Sequence, residues 1–394
     1  MAIQPDLVVA LSDTPFTPGS HSQRRITKSL ERSASWLANI LRPLPGQNVS
    51  TPAGPHPLNV LVHMAGGTSP AARQAFSQSL LEPLFDKEAE AIKPLNNLDE
   101  GVAGYTFDLA PLHKSLSADP LPYDGGTTKN SFMDSIDLFS TPPNPSATAQ
   151  ILSLIRTSLG PLPATKPRIV HSAGSPHEIL ALIRDVGVDL FDAHWAQRAA
   201  DVGVALDFVF PAPVTATVPP REIGHNLYDK RYSHDFSPFA DALRSSCSVA
   251  KQDDTRPSCP CMACFPSRPS GALKHSSVDE APPLHTAVPY TRAYVHHLLH
   301  THEMSAHTLL VLHNLAVLDI FFTGVRRVLF ERPEKFSEEI TRFEQTYDGK
   351  LGVFAESRKD WNEVTLARGK GRLVREKERQ KLEQEALDTA MELE

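Results

Sequence analysis

The stretch RIVHSAGSPHEILALIRDVGVDLFD, residues 168–192, decides the fold class. Residues 168–172 and 188–192 are short β-rich runs, and residues 176–186 between them carry apolar side chains at helical spacing, so the segment predicts strand, helix and strand in succession. Such alternation indicates a parallel βαβ unit. The same rhythm extends outward. Residues 6–11, 58–64, 103–109 and 206–210 are further β-rich runs, and residues 23–41, 69–84 and 147–159 have helical patterns, with Pro43 and Pro45 closing the first. The expectation is an α/β fold. Six strands are two short of a closed eight-stranded barrel: either two strands lie in weaker sequence, or the chain begins inside the barrel.

The 394 residues allow two or three domains, or one large barrel with additions. A formal charge of −7 argues against an overall basic nucleic-acid coat, although a local basic patch fits within that total. Thirty-four prolines point to extensive loops, since the usual share is only about 5%. Residues 114–145 and 265–289 are rich in Pro, Ser and polar side chains and read as surface insertions. Past Leu329 the composition turns to charged helix; residues 373–394 read as a solvated tail helix, with a partner-binding helix as the sharper alternative. The opening MAIQPDLVVALSD lacks the charge and apolar core of a signal peptide, and no uninterrupted apolar run approaches the ~18 residues of a membrane span, so a soluble, cytoplasmic protein without integral membrane association is expected.

Four cysteines are too few for a disulfide framework, and three of them, Cys259, Cys261 and Cys264, fall within six residues. One turn can direct all three thiols at a single ion. Zinc prefers four soft or borderline ligands in a tetrahedron, so a fourth is required. Cys247 is one candidate. The helical segment at residues 290–329 supplies others: His296, His297, His300, His302, His307 and His313. Composition does not choose among these six, each of which taken singly is more often a packed or surface histidine. On its apolar face the segment offers Tyr294, Leu298, Leu309, Leu312, Leu315 and Phe322. A closed four-ligand site leaves no position for water and would hold structure rather than perform chemistry.

CPCMAC, followed by YTRAYVHHLL (residues 290–299) and LLVLHNL (residues 309–315), resembles the C-terminal zinc subdomain of the tRNA-guanine transglycosylases, which exchange guanine for queuine or its precursor in tRNA anticodons. The resemblance implies that Cys259, Cys261, Cys264 and His313 bind one structural Zn2+. It also implies a (β/α)8 barrel of TIM type, here partial, over residues 1–245, a zinc-binding helical subdomain over residues 246–330, and a charged tail over residues 331–394. The family's opening portion is expected to be missing, which accounts for the two strands.

GVDLFD (residues 187–192) is similar to the family element that carries the covalent nucleophile, and Asp192 takes its position. The following AHWAQR departs from the family pattern. Only Arg198 matches, and Asp201 stands where a second arginine contacts tRNA. Ala65 replaces the family's base-reading glutamine, and Ser12 its base-reading aspartate. Together with NLYDKRYSHDFSPF (residues 226–239) and HTHEMSAHTLLVLHNL (residues 300–315), these departures resemble the family's non-catalytic branch. The implied role is that of an accessory partner without catalytic residues of its own, Asp192 being vestigial, that forms a heterodimer with a catalytic subunit on tRNA. The alternative is an active transglycosylase using Asp192 as nucleophile. Resemblance also allows peripheral association with the mitochondrial outer membrane. Apolar surface for the partner is expected at Leu309, Val311, Phe321 and Phe322.

Overall fold

Five parallel strands, β1 (Leu7–Val9), β2 (Asn59–His63), β3 (Val102–Asp108), β4 (Arg168–His171) and β5 (Leu190–Phe191), form one sheet in the order β1-β2-β3-β4-β5. The computed structural model describes residues 5–14, 21–42, 59–117, 145–214, 219–241, 259–264, 289–369 and 379. These fall into two compact units, Met1–Trp195 and Ala196–Glu394. The start of the zinc-binding subdomain expected at residue 246 lies inside the second.

In the first unit consecutive strands are neighbours, as helical crossovers require. Helix α1 (Gln23–Leu41) joins β1 to β2; α2 (Pro70–Leu81) and α3 (Asp86–Ala91) join β2 to β3; α4 (Ala110–Ser117) and α5 (Pro145–Leu159) lie between β3 and β4; α6 (Pro176–Val186) joins β4 to β5. Residues 114–117 therefore continue α4 rather than begin an insertion, and residues 118–144 lie outside the described residues. Local chemistry sets the ends of α6. The Ser175 hydroxyl accepts a hydrogen bond from the Glu178 N–H at 3.0 Å and Pro176 occupies the first turn, while Gly187, at φ +72°, ends the helix in the left-handed conformation. Phe76, Tyr105, Phe107, Ile151 and Ile155 fill the core beside the sheet. Among the described residues five strands form here, and the alternation does not continue to a sixth.

The expected strand at residues 206–210 differs. Strand β6 (Val204–Leu206) pairs antiparallel with β7 (Gly224–Asn226), and residues 207–210 leave the ladder. A run rich in apolar residues, interrupted here by Asp207, reads as strand whatever buries it. Here Phe208 and Phe210 enter an aromatic cluster with Phe321, Phe336, Phe343 and Tyr347, packed edge-on or tilted at centroid distances of 5.9 to 6.4 Å apart from the closer Phe208–Phe321 pair at 5.5 Å and Phe343–Tyr347 pair at 4.8 Å.

The segment at residues 290–329 is two helices. Helix α7 (His194–Asp201) precedes β6, α8 (Arg292–His300) begins at a Thr291 cap, and α9 (Met304–Glu331) follows a break in which His302 sits at φ +58°. Two more follow, α10 (Phe336–Thr346) and α11 (residues 352–369). The apolar face was misassigned in part. Tyr294 is 44% exposed and Leu312 39% exposed, whereas the buried side of α9 carries Leu310, His313, Asn314, Val317, Phe321 and Val325. Phe321 is wholly buried and is not available to a partner. Gly324 meets the Phe210 carbonyl, and a Cβ there would fall inside that group. Among the described residues α9 is the one helix long and apolar enough to cross a membrane, and the buried polar pair His313 and Asn314 sits at its middle.

Candidate metal centre

CPCMAC forms a turn that buries Cys259, Cys261 and Cys264, and α9 carries His313, wholly buried, to the same point. Their three Sγ atoms and one imidazole nitrogen all lie within 4.8 Å of one another. His313 Nδ1 is 3.8 Å from Cys261 Sγ and 3.4 Å from Cys264 Sγ. Ligands held at ~2.0 to ~2.3 Å by a tetrahedral ion stand roughly 3.5–3.8 Å apart, so the spacing suits a metal. The donor set of three thiols and one imidazole is compatible with zinc.

Neighbouring groups orient the donors. The His313 Nε2–H donates to the Leu206 carbonyl at 2.9 Å, which turns Nδ1 toward the thiols as the nitrogen a metal would take. Phe239 packs edge-on against the ring, 5.2 Å between centroids. The Cys264 N–H donates to Cys261 Sγ at 3.2 Å. Asn314 fastens α9 to β6: its Oδ1 accepts from the Leu206 N–H at 2.9 Å, and its Nδ2 donates to Val204 and Ala196 carbonyls at 3.0 and 3.2 Å.

The thiols oppose one another electrostatically. Hydrogen bonds from Cys259 and Cys264 pull the Cys261 thiol far down, while Cys259 and Cys261 push the Cys264 thiol far up. Burial lowers the His313 pKa, but the cysteines outweigh it and push it up to about 9. Three crowded thiols cannot all ionise without a cation to share, and a divalent metal supplies that charge.

Among the six histidines, only His313 joins the thiols in the described structure. Cys247 lies outside the described residues. His296 and His300 pack against each other with tilted rings, and His307 Nε2 bonds Asp201 Oδ1 at 2.9 Å. Sequence reasoning passed over Asn314 as the residue that fixes the donor helix. Its position beside His313 in the buried stripe was the available signal.

Residues assigned by resemblance to the transfer site lie elsewhere. Asp192 follows β5, where the Ser172 N–H and His171 Nδ1 stand 3.1 and 3.4 Å from Oδ2 and the His194 N–H donates to Oδ1 at 3.3 Å. Burial would raise the Asp192 pKa, but His171 and the two amides hold it below the usual carboxylate range. The Asp192 carboxylate in turn raises His171 against its burial. His171 was not foreseen, although it ends β4 beside the strand that leads to Asp192. Ala65 is buried, and the Ser12 hydroxyl is buried with no partner among the described residues. Arg198 pairs with Asp201 at 3.2 Å.

Together these features describe an α/β protein whose second unit carries a buried cluster of three cysteines and one histidine able to hold a metal ion. A family model described as queuine tRNA-ribosyltransferase matches residues 144–349, just over half of the chain, and the chain belongs to that family. It is 26% identical over 351 residues to a queuine tRNA-ribosyltransferase accessory subunit 2 of Schizosaccharomyces pombe, covering 87% of this chain and 54% of that protein. The protein of the same name from Xenopus tropicalis is 27% identical over 340 residues, 83% of this chain and 63% of the relative. That from Danio rerio is 30% identical over 203 residues, covering 44% and 39%. The chain thus spans 54% and 63% of the length of the first two relatives.

Proposed function

We propose that this chain is a non-catalytic accessory subunit of a queuine tRNA-ribosyltransferase, paired with a catalytic subunit and helping to position tRNA for exchange of guanine by queuine. The reading rests foremost on Asp192. In an exchange nucleophile one carboxylate oxygen must be free to attack a ribose carbon. Here His171 and the Ser172 N–H crowd Oδ2, and the His194 N–H engages Oδ1. Ala65 offers no polar atom to a base, and an unmatched buried base group costs ~1–3 kcal/mol. The names of the relatives point the same way.

In this reading the parallel sheet belongs to a (β/α)8 barrel of TIM type, and Cys259, Cys261, Cys264 and His313 hold one zinc ion. The zinc ties the CPCMAC turn to α9 and takes no part in the exchange. Its place of action is the cytoplasm, with peripheral contact to the mitochondrial outer membrane as a further expectation of the family resemblance.

A second reading is favoured by one observation. Asp192 stays ionised, with a side chain 30% exposed, so it remains chemically able to attack. Incorporation of labelled guanine or queuine into tRNA by the chain alone separates the two. The accessory reading expects none. Turnover that disappears in Asp192→Ala would establish the catalytic reading instead.

A further inference from the structure

His296 and His300 lie four residues apart on α8 and therefore on one face, and their ring centroids are 4.1 Å apart with a 40° tilt. Neither belongs to the thiolate centre. Their tautomers are set by their neighbours. His296 Nδ1 lies 2.9 Å from the Leu227 carbonyl, and His300 Nδ1 lies 2.9 Å from the His296 carbonyl. A carbonyl only accepts, so each Nδ1 carries the proton and each Nε2 keeps its lone pair.

That is the arrangement found behind metal-ligating histidines, where a hydrogen bond from one ring nitrogen to a carbonyl fixes the other as the donor. Among the described residues no protein group engages either Nε2. The Tyr228 ring stands edge-on to His300 at 5.8 Å and limits its rotation. Burial lowers the His296 pKa and the neighbouring His300 lowers it further, which keeps this imidazole neutral near pH 7. Two imidazolium ions with centroids 4.1 Å apart would repel. Two neutral rings present a pair of lone pairs on one helix face, the same i, i+4 geometry by which helical histidine pairs hold zinc.

We infer that His296 and His300 form a second metal site, open to solvent, for a divalent transition ion. Imidazole nitrogen suits Zn2+, Ni2+ and Cu2+ rather than Mg2+ or Ca2+. Two protein donors leave the remaining positions to water, so this site exchanges its ion while the closed thiolate centre retains its own. Nothing in this inference depends on the role in tRNA modification.

The test uses the full chain loaded with one zinc per molecule. Calorimetric titration with Ni2+ is expected to show one further ion bound by the wild type and by His307→Ala, an exposed histidine on α9 that bonds Asp201. His300→Ala is expected to lose that ion while keeping its zinc and its circular dichroism spectrum. The wild type, but not His300→Ala, should also melt at a higher temperature with Ni2+ present. Absence of a further ion in the wild type would overturn the inference. So would equal binding by His300→Ala, or loss of binding in His307→Ala.

Discussion

His313 donates through Nε2 to the Leu206 carbonyl at 2.9 Å, so the residue that supplies the imidazole to the thiols is held by strand β6. The next residue, Asn314, binds the Leu206 N–H and two further carbonyls, all buried. Asn314→Ala leaves these backbone groups without partners and is expected to cost about 3 kcal/mol. Urea unfolding of wild type and variant measures this, and a loss below about 1 kcal/mol would show that β6 does not depend on the side chain.

Metal analysis of the purified chain should return one zinc, and Cys259→Ser, Cys261→Ser, Cys264→Ser and His313→Ala should each lose it. Chelation should lower the melting temperature, because metal bound to the folded chain alone stabilises that state. Loss of metal in Cys247→Ser with retention in His313→Ala would reassign the fourth ligand.

The His171–Asp192 pair makes stability depend on pH. Asp192 is held below its ordinary pKa, so its contribution is present above about pH 4 and is lost as pH falls through the lowered value. His171 is raised, so its contribution is present below about pH 6.5 and is lost as pH rises through the raised value. The pair therefore supports the fold most between those limits. With side chains 39% and 30% exposed, solvent screening limits the effect to about 0.5 kcal/mol. Urea midpoints at pH 5.5 and 8.5 should differ more for wild type than for His171→Ala.

Leu309 and Leu312 mark the accessible side of α9, half-buried and 39% exposed, whereas Phe321 is wholly buried. Leu309→Glu and Leu312→Glu are expected to abolish co-purification with the catalytic subunit while leaving circular dichroism unchanged. Phe321→Ala should instead cost about 3–5 kcal/mol through loss of aromatic packing. Unchanged co-purification of both glutamate variants would move the interface off this face.

The legible parts of the fold were those encoded locally. Helices α1 and α6 end where the sequence predicts, because caps and apolar spacing lie within each segment. Residues 206–210 were misread because β6 pairs with residues 224–226, GHN, whose polar sequence carries no strand signal. The thiol turn was legible from spacing alone. Choosing His313 needed the family motif, since packing against Leu206 and Phe239 is a property of the folded chain. The break between α8 and α9 depends on one left-handed residue, His302, which apolar periodicity does not register.

A chain that acts through a catalytic partner should show no activity without it. Labelled queuine incorporation into tRNA should be measured for this chain alone, for the catalytic subunit alone and for the two together, with size-exclusion chromatography of the mixture. The expected result is no incorporation by this chain, a heterodimer in the mixture, and incorporation by the mixture well above that of the catalytic subunit alone, unchanged by Asp192→Ala. Full activity of the catalytic subunit alone, with no association between the two chains, would contradict it.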